Sequence, residues 1–176
     1  KNLSSKNLDF FDLDNLTSKH DFVRLRAETD SEALKKKFSN NVIYKKNIPN
    51  KKSCRMLYDI SEKIRYEVLG TKMLKGISKN FKENYGQKLN LKRKDQLKSK
   101  EDVTVSEAFE LYMLKNFLDI ELNQLTNKML SFWEKDFNLS IGKHLNFLNK
   151  NFENQEAYNS KFSKILSEMD IFDSSD

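Results

Sequence analysis

A single cysteine, Cys54, stands in the 176 residues, so no internal disulfide can form and a reducing compartment is expected. Nothing around Cys54 marks a catalytic thiol; it reads as a small side chain, half-buried at a helix start. Glycine and proline are scarce, at four and one. There is no Gly-rich phosphate loop, so the chain binds no ATP through such a motif. Frequent tight turns, as a β-sandwich needs, are equally absent. The two histidines, His20 and His144, lie far apart with no ligand at metal spacing, and both read as structural. No apolar run is long enough to span a bilayer, and no secretory signal is visible, so no membrane contact and a cytoplasmic setting are expected.

Apolar residues make up 38% of the chain, and thirteen phenylalanines and six tyrosines supply its core. That composition predicts one all-α domain, a multi-helix bundle with lysine-rich loops. The formal charge of +6 permits contact with an acidic partner surface or weak nucleic-acid binding. Lysine far outweighs arginine and comes with many asparagines, a bias of AT-rich coding rather than a phosphate-binding signature. Arginine and exposed aromatics are not clustered as nucleic-acid modules require, so that partner is not expected.

The organising stretch is 53–81. Leu57, Ile60, Ile64 and Val68 form one helical stripe, and Leu74, Ile77 and Phe81 a second. Gly70 between them fits the position just past a helix end, predicting a tight turn there. Glu62 and Arg65, three apart, can meet on one helix side. Glu67 lies close to the apolar stripe and needs a cationic or hydrogen-bonding partner if buried. Glu62 and Glu67 are five positions apart, which splits them across the helix and makes a shared acid–base role poor. Two readings remain for Glu62, Arg65 and Glu67: a polar network locking the helix against Arg24, Arg26 or Asp30, or a docking surface. No catalytic and no metal-binding residue is expected in this chain.

Ahead of that stretch, residues 1–18 read as an N-terminal arm, laid across the domain or disordered, with Leu8, Phe10, Phe11, Leu13 and Leu16 lacking a clean period. Ser18 with Asp21, and Thr29 with Glu32, are capping candidates for one helix over 19–39 or for two pieces. Residues 40–52 read as a loop around Pro49. From 35 to 55 there is no acidic residue, and Lys45, Lys46, Lys51 and Lys52 form either a solvated face or a basic docking patch. The motif-bearing half is 19–81, and 82–102 is expected to be a lysine-rich linker, pinned at most by Leu89, Leu91 and Leu97. The half from 103 to 172 is regular. Thr104 and Glu107 make a capping box ahead of Ala108, Phe109, Tyr112, Met113 and Phe117. Helices are predicted over 121–136, after Ser140 with Ile141, Leu145, Leu148 and Phe152, and over 155–169. The aromatics there read as core, and Asp173 to Asp176 as solvent-facing.

Several of these residues carry a resemblance. Arg26, Ala27, Glu28, Thr29 and Asp30, with Ala33 and Leu34, resemble an Arg-Gly-x-Ala-Asp-x-x-Ala-Leu element. Glu62, Arg65, Glu67, Gly70, Gly76 and Asn80 resemble the Glu-x-x-Arg-x-Glu-x-x-Gly and Gly-x-x-x-Asn element that follows it. Trp133, and Asn154 followed by Gln155, stand where the same family has a tryptophan and an Asp-Gln pair. Together, over 20–171, the chain resembles the N-terminal region of the CobT subunit of aerobic cobaltochelatase; 62–80 is the specific part. Ala27 replaces a glycine, Leu74 stands where methionine is usual, and the proline-rich lead-in is missing.

The resemblance implies a longer protein, in which the helical domain over 19–172 is followed by an acidic linker, beginning at 173–176, and a von Willebrand factor A-type domain holding the family's metal site. It implies a CobS-like hexameric AAA+ ATPase and a CobN-like large subunit as partners. That complex uses ATP and Mg to insert cobalt into hydrogenobyrinic acid a,c-diamide, with no cofactor in this chain. The expected role is docking or coupling. The competing readings are an AAA+ and von Willebrand A remodelling system with another target, and a nucleic-acid-associated helical module.

Overall fold

The computed structural model describes residues 18–90, 97 and 99–169, and among these every regular element is helical. Residues 1–17 of the arm expected at 1–18, Leu91 and the acidic end from 170 lie outside them. The α-helices are α1 (Lys19–Phe38), α2 (Asn41–Lys46), α3 (Lys52–Met73), α4 (Lys75–Asn90), α5 (Val105–Phe117), α6 (Gln124–Ser131), α7 (Glu134–Ser140), α8 (Leu145–Lys150) and α9 (Gln155–Ser167). Short 3-10 turns at Lys100–Asp102 and Gly142–His144 precede α5 and α8. Helix α3 is the axis of the fold: α1, α4, α5 and α9 all pack on it. From Ser61 to Gly70 every α3 residue but Lys63 is buried. A helix enclosed on all sides has no solvent face for its polar residues, so Glu62, Arg65 and Glu67 must find their partners inside the protein.

Helix α1 is continuous. Ser18 caps it by accepting from Asp21 N, whereas Thr29 is interior and its hydroxyl donates to Leu25 O. Residues 40–52 are less loop-like than expected, because Asn40 caps the short α2 through Val42 N and Ile43 N. Asn47 makes the turn that ends α2, and Pro49, buried, follows it in irregular backbone.

Gly70 does not end a helix. Helix α3 runs through it to Met73 and closes at Leu74, whose extended backbone returns its N–H to Gly70 O. The missing side chain serves packing instead: a Cβ on Gly70 would lie 2.3 Å from Leu34 Cδ1 and 3.0 Å from Leu34 Cγ. Leu34 is itself buried and has little room to yield. Gly70→Ala gains about 1 kcal/mol of helix propensity and meets an overpacking cost of about 1–3 kcal/mol. The expected result is a lower melting temperature. The double variant with Leu34→Ala should lose less than the two single losses combined, read by thermal melts of all three variants.

The stretch expected as a linker is helical through Asn90, and Phe81, Tyr85 and Leu89 line the buried face of α4. Leu97 packs on the core edge. The Thr104 and Glu107 capping box opens α5, which closes at Asp119 in the left-handed region (φ 53°), where Ile120 N–H returns to Leu114 O. The single helix expected over 121–136 is two, α6 and α7. Trp133 leaves helical geometry at φ −121°, and its indole N–H donates to Val103 O at 3.0 Å. Ser140 ends α7 rather than capping α8. Asn154 caps α9 through Ala157 N. Phe109, Phe137, Phe152, Tyr158 and Phe162 form an aromatic core among α5, α7 and α9.

Candidate functional site

Two buried polar clusters sit one helical turn apart on α3. In the first, Arg65 is 1% exposed and grips Glu62 with two bonds, Nε to Oε2 at 2.8 Å and Nη2 to Oε1 at 2.9 Å. The same guanidinium donates to Phe38 O at 2.6 Å and Phe152 O at 2.7 Å. Phe38 is the last residue of α1, where carbonyls lack intrahelical partners and the helix dipole is negative, so a cation there is favoured twice. Phe152 lies just before α9. One side chain thus joins α1, α3 and the approach to α9. Glu62 completes the junction by accepting from Ser39 Oγ at 2.6 Å and from Gln155 Nε2 at 3.1 Å. Gln155 in turn brackets Asn40, accepting from its N–H at 2.7 Å and donating to its carbonyl at 3.2 Å.

In the second cluster Glu67, 1% exposed, accepts from Ser31 Oγ and Tyr85 Oη, both at 2.7 Å. Lys63 Nζ lies 3.8 Å away. Burial raises the Glu67 pKa; Lys63 and the two hydroxyls oppose that only in part. The Tyr85 hydroxyl is pushed well above its usual range by burial and by Glu67, so it stays protonated and donates. Asn80 Nδ2 donates to Asp30 at 2.7 Å and ties α4 to α1 beside this cluster.

Of the α1 residues expected to lock the network, none reaches it. Arg24 faces Asp21 at 3.6 Å, Arg26 is exposed, and Asp30 is taken by Asn80. Ser31, Ser39 and the Phe38 carbonyl do that work. Gly76 is exposed and a Cβ there would meet nothing within 4 Å. Lys45, Lys51 and Lys52 are exposed without an ion pair among the described residues, whereas Lys46 pairs with Glu156 at 2.9 Å. Cys54 is fully buried and donates to Leu166 O. No grouping of three or more metal-ligating side chains occurs among the described residues, and no helix there is long and apolar enough to cross a membrane.

Sequence reading missed Ser31, Ser39, Lys63 and Tyr85. A signal existed for two of them. Ser31 lies on the stripe of Ala27 and Leu34, and Tyr85 on that of Phe81 and Leu89, each a polar group on an apolar face.

The residues singled out at distant places in the sequence therefore converge: Gly70 on Leu34, Asp30 on Asn80, and Glu62 on both Arg65 and Gln155. This defines an all-α domain whose buried charges hold its elements in register. A family model described as cobalamin biosynthesis protein CobT matches residues 1–176, and the chain belongs to that family. Membership ties it to cobalamin biosynthesis and to cobaltochelatase in general. No curated protein and no solved structure matches the chain.

Proposed function

We propose that this chain is a non-catalytic subunit domain of an ATP-dependent cobaltochelatase acting in the cytoplasm. It docks or couples a CobS-like AAA+ ATPase to a CobN-like large subunit, which inserts cobalt into hydrogenobyrinic acid a,c-diamide. The observation that carries this reading is the Arg65 junction. Its charges are spent on three parts of the fold rather than turned toward a substrate, which suits a rigid body that transmits force or position. Glu62, Arg65 and Glu67 are then the internal frame, and the docking contacts belong to exposed groups. Lys45, Lys51 and Lys52 are such groups, all uncompensated on one side of α2 and at the start of α3.

Charge reversal of these three lysines is expected to weaken co-purification with the ATPase by about tenfold or more, with an unchanged melting temperature. Lys46→Glu should also lower stability slightly, because it removes the Glu156 pair. Full retention of ATPase binding by the triple reversal would remove this patch from the assembly.

A further inference from the structure

A cleft of about 530 Å³ opens where α1 ends, beside the last turns of α3 and the approach to α9. Its lining is Lys37, Phe38, Arg65, Leu69, Lys72 and Met73, with Glu153 at the edge. Phe38, Leu69 and Met73 give it an apolar wall. Met73 (45% exposed) and Leu74 (54%) extend apolar surface outward from the end of α3, more than that helix end needs for its own packing. Lys37 and Lys72 flank this wall. Neither has a carboxylate within ion-pair distance among the described residues; their ammonium groups lie instead over the Phe38 ring at 5.5 Å and the Phe152 ring at 5.1 Å. Arg65 floors the cleft, 1% exposed and with its charge met by Glu62, so the free cations of the lining are the two lysines.

We propose that this cleft docks an acidic, apolar peptide segment of a partner protein. An apolar side chain of the segment seats against Phe38, Leu69 and Met73, and a neighbouring carboxylate is taken by Lys37 and Lys72. Charge complementarity selects the occupant. Two unpaired lysines and one carboxylate line the apolar hollow, the Arg65 charge being met by Glu62, so an anion carrying hydrocarbon fits, a neutral apolar segment leaves the lysines unused, and a bare polyanion leaves the apolar wall unused. Glu153 repels the same ligand. The inference rests on the docking reading above for the biological partner, while its chemistry stands on residues outside the Lys45, Lys51 and Lys52 patch.

The test is fluorescence anisotropy of the full chain with a dye-labelled peptide of alternating aspartate with leucine and phenylalanine. Two control peptides carry asparagine for aspartate, or serine for leucine and phenylalanine. The parent peptide should bind, either control should bind at least tenfold more weakly, and added salt should weaken binding. Lys37→Glu with Lys72→Glu should weaken it at least tenfold. Met73→Asp should do the same, and Glu153→Gln should tighten it. All four side chains line the cleft's outer part, and thermal melts confirm that the variants fold. No binding by the parent peptide, equal binding by either control, or indifference to Lys37 and Lys72 overturns the proposal. So does an oligothymidine that displaces the peptide with the same lysine dependence, which would make the cleft a general polyanion site. ATPase co-purification separates the two readings. Peptide binding without any ATPase capture leaves the cleft standing and removes that partner. ATPase capture that survives the Lys37 and Lys72 reversal but not the Lys45, Lys51 and Lys52 reversal removes the ATPase as the cleft's occupant and keeps the docking reading.

Discussion

Arg65→Met is expected to be the most damaging single conservative-volume change in the domain. It leaves the Glu62 carboxylate buried without its cation and strips the Phe38 and Phe152 carbonyls of their donor. Breaking one side of a buried pair costs about 3–5 kcal/mol, and each kcal/mol lowers the melting temperature of a chain this size by about 2–4 °C. A fall of roughly 6–20 °C follows. The double variant with Glu62→Leu should recover part of the loss, because the remaining apolar pair carries no uncompensated charge. Ser39 and Gln155 would still lack their acceptor, so recovery is incomplete. Differential scanning calorimetry of the three proteins measures the coupling directly. A double variant no more stable than Arg65→Met would mean that the two carbonyls, not the stranded carboxylate, set the cost.

The second large effect is at Glu67. Glu67→Ala removes the acceptor of two buried hydroxyls, Ser31 and Tyr85, at about 1–3 kcal/mol for each buried group left unsatisfied. Glu67→Gln keeps an acceptor and the shape, and its consequence is in pH dependence. The Glu67 pKa is raised in the folded protein, so above the ordinary carboxylate value of 4.5 the native state holds a proton that the unfolded chain has released. Stability from this group is then greatest below 4.5 and declines as pH climbs toward the raised folded value. Denaturant unfolding across that window should show the decline in the parent protein and a flatter profile in Glu67→Gln. An unchanged slope in the variant would assign the pH dependence to other groups.

Legibility from sequence followed the kind of signal each feature leaves. The N-cap at Ser18 and the capping box at Thr104 were readable because each pairs two named residues three apart. The need of Glu67 for a partner was readable from its place beside an apolar stripe. Its actual partners were not, since they depend on how α1 and α4 pack. Arg65 was harder still, because two of its acceptors are backbone carbonyls, which any residue could supply. Gly70 shows a different limit. A glycine near the end of a stripe is equally suited to a turn or to close helix contact, and only the position of Leu34 decides between them. The helix through Asn90 was obscured by its solvent face: Phe81, Tyr85 and Leu89 recur at helical spacing, but lysine, asparagine and glutamine between them dominate the composition.

The chain has one tryptophan, Trp133, and its surroundings give it an optical use. The ammonium of Lys100 sits 4.0 Å above its ring and its N–H is held by Val103, so the indole is in contact with the segment that leads into α5. Emission colour and intensity from this lone indole, excited at wavelengths that tyrosine does not absorb, therefore report whether that segment is seated. Stopped-flow mixing with either of the subunits proposed above as partners follows its release or retention in real time, without attaching a label anywhere on the molecule.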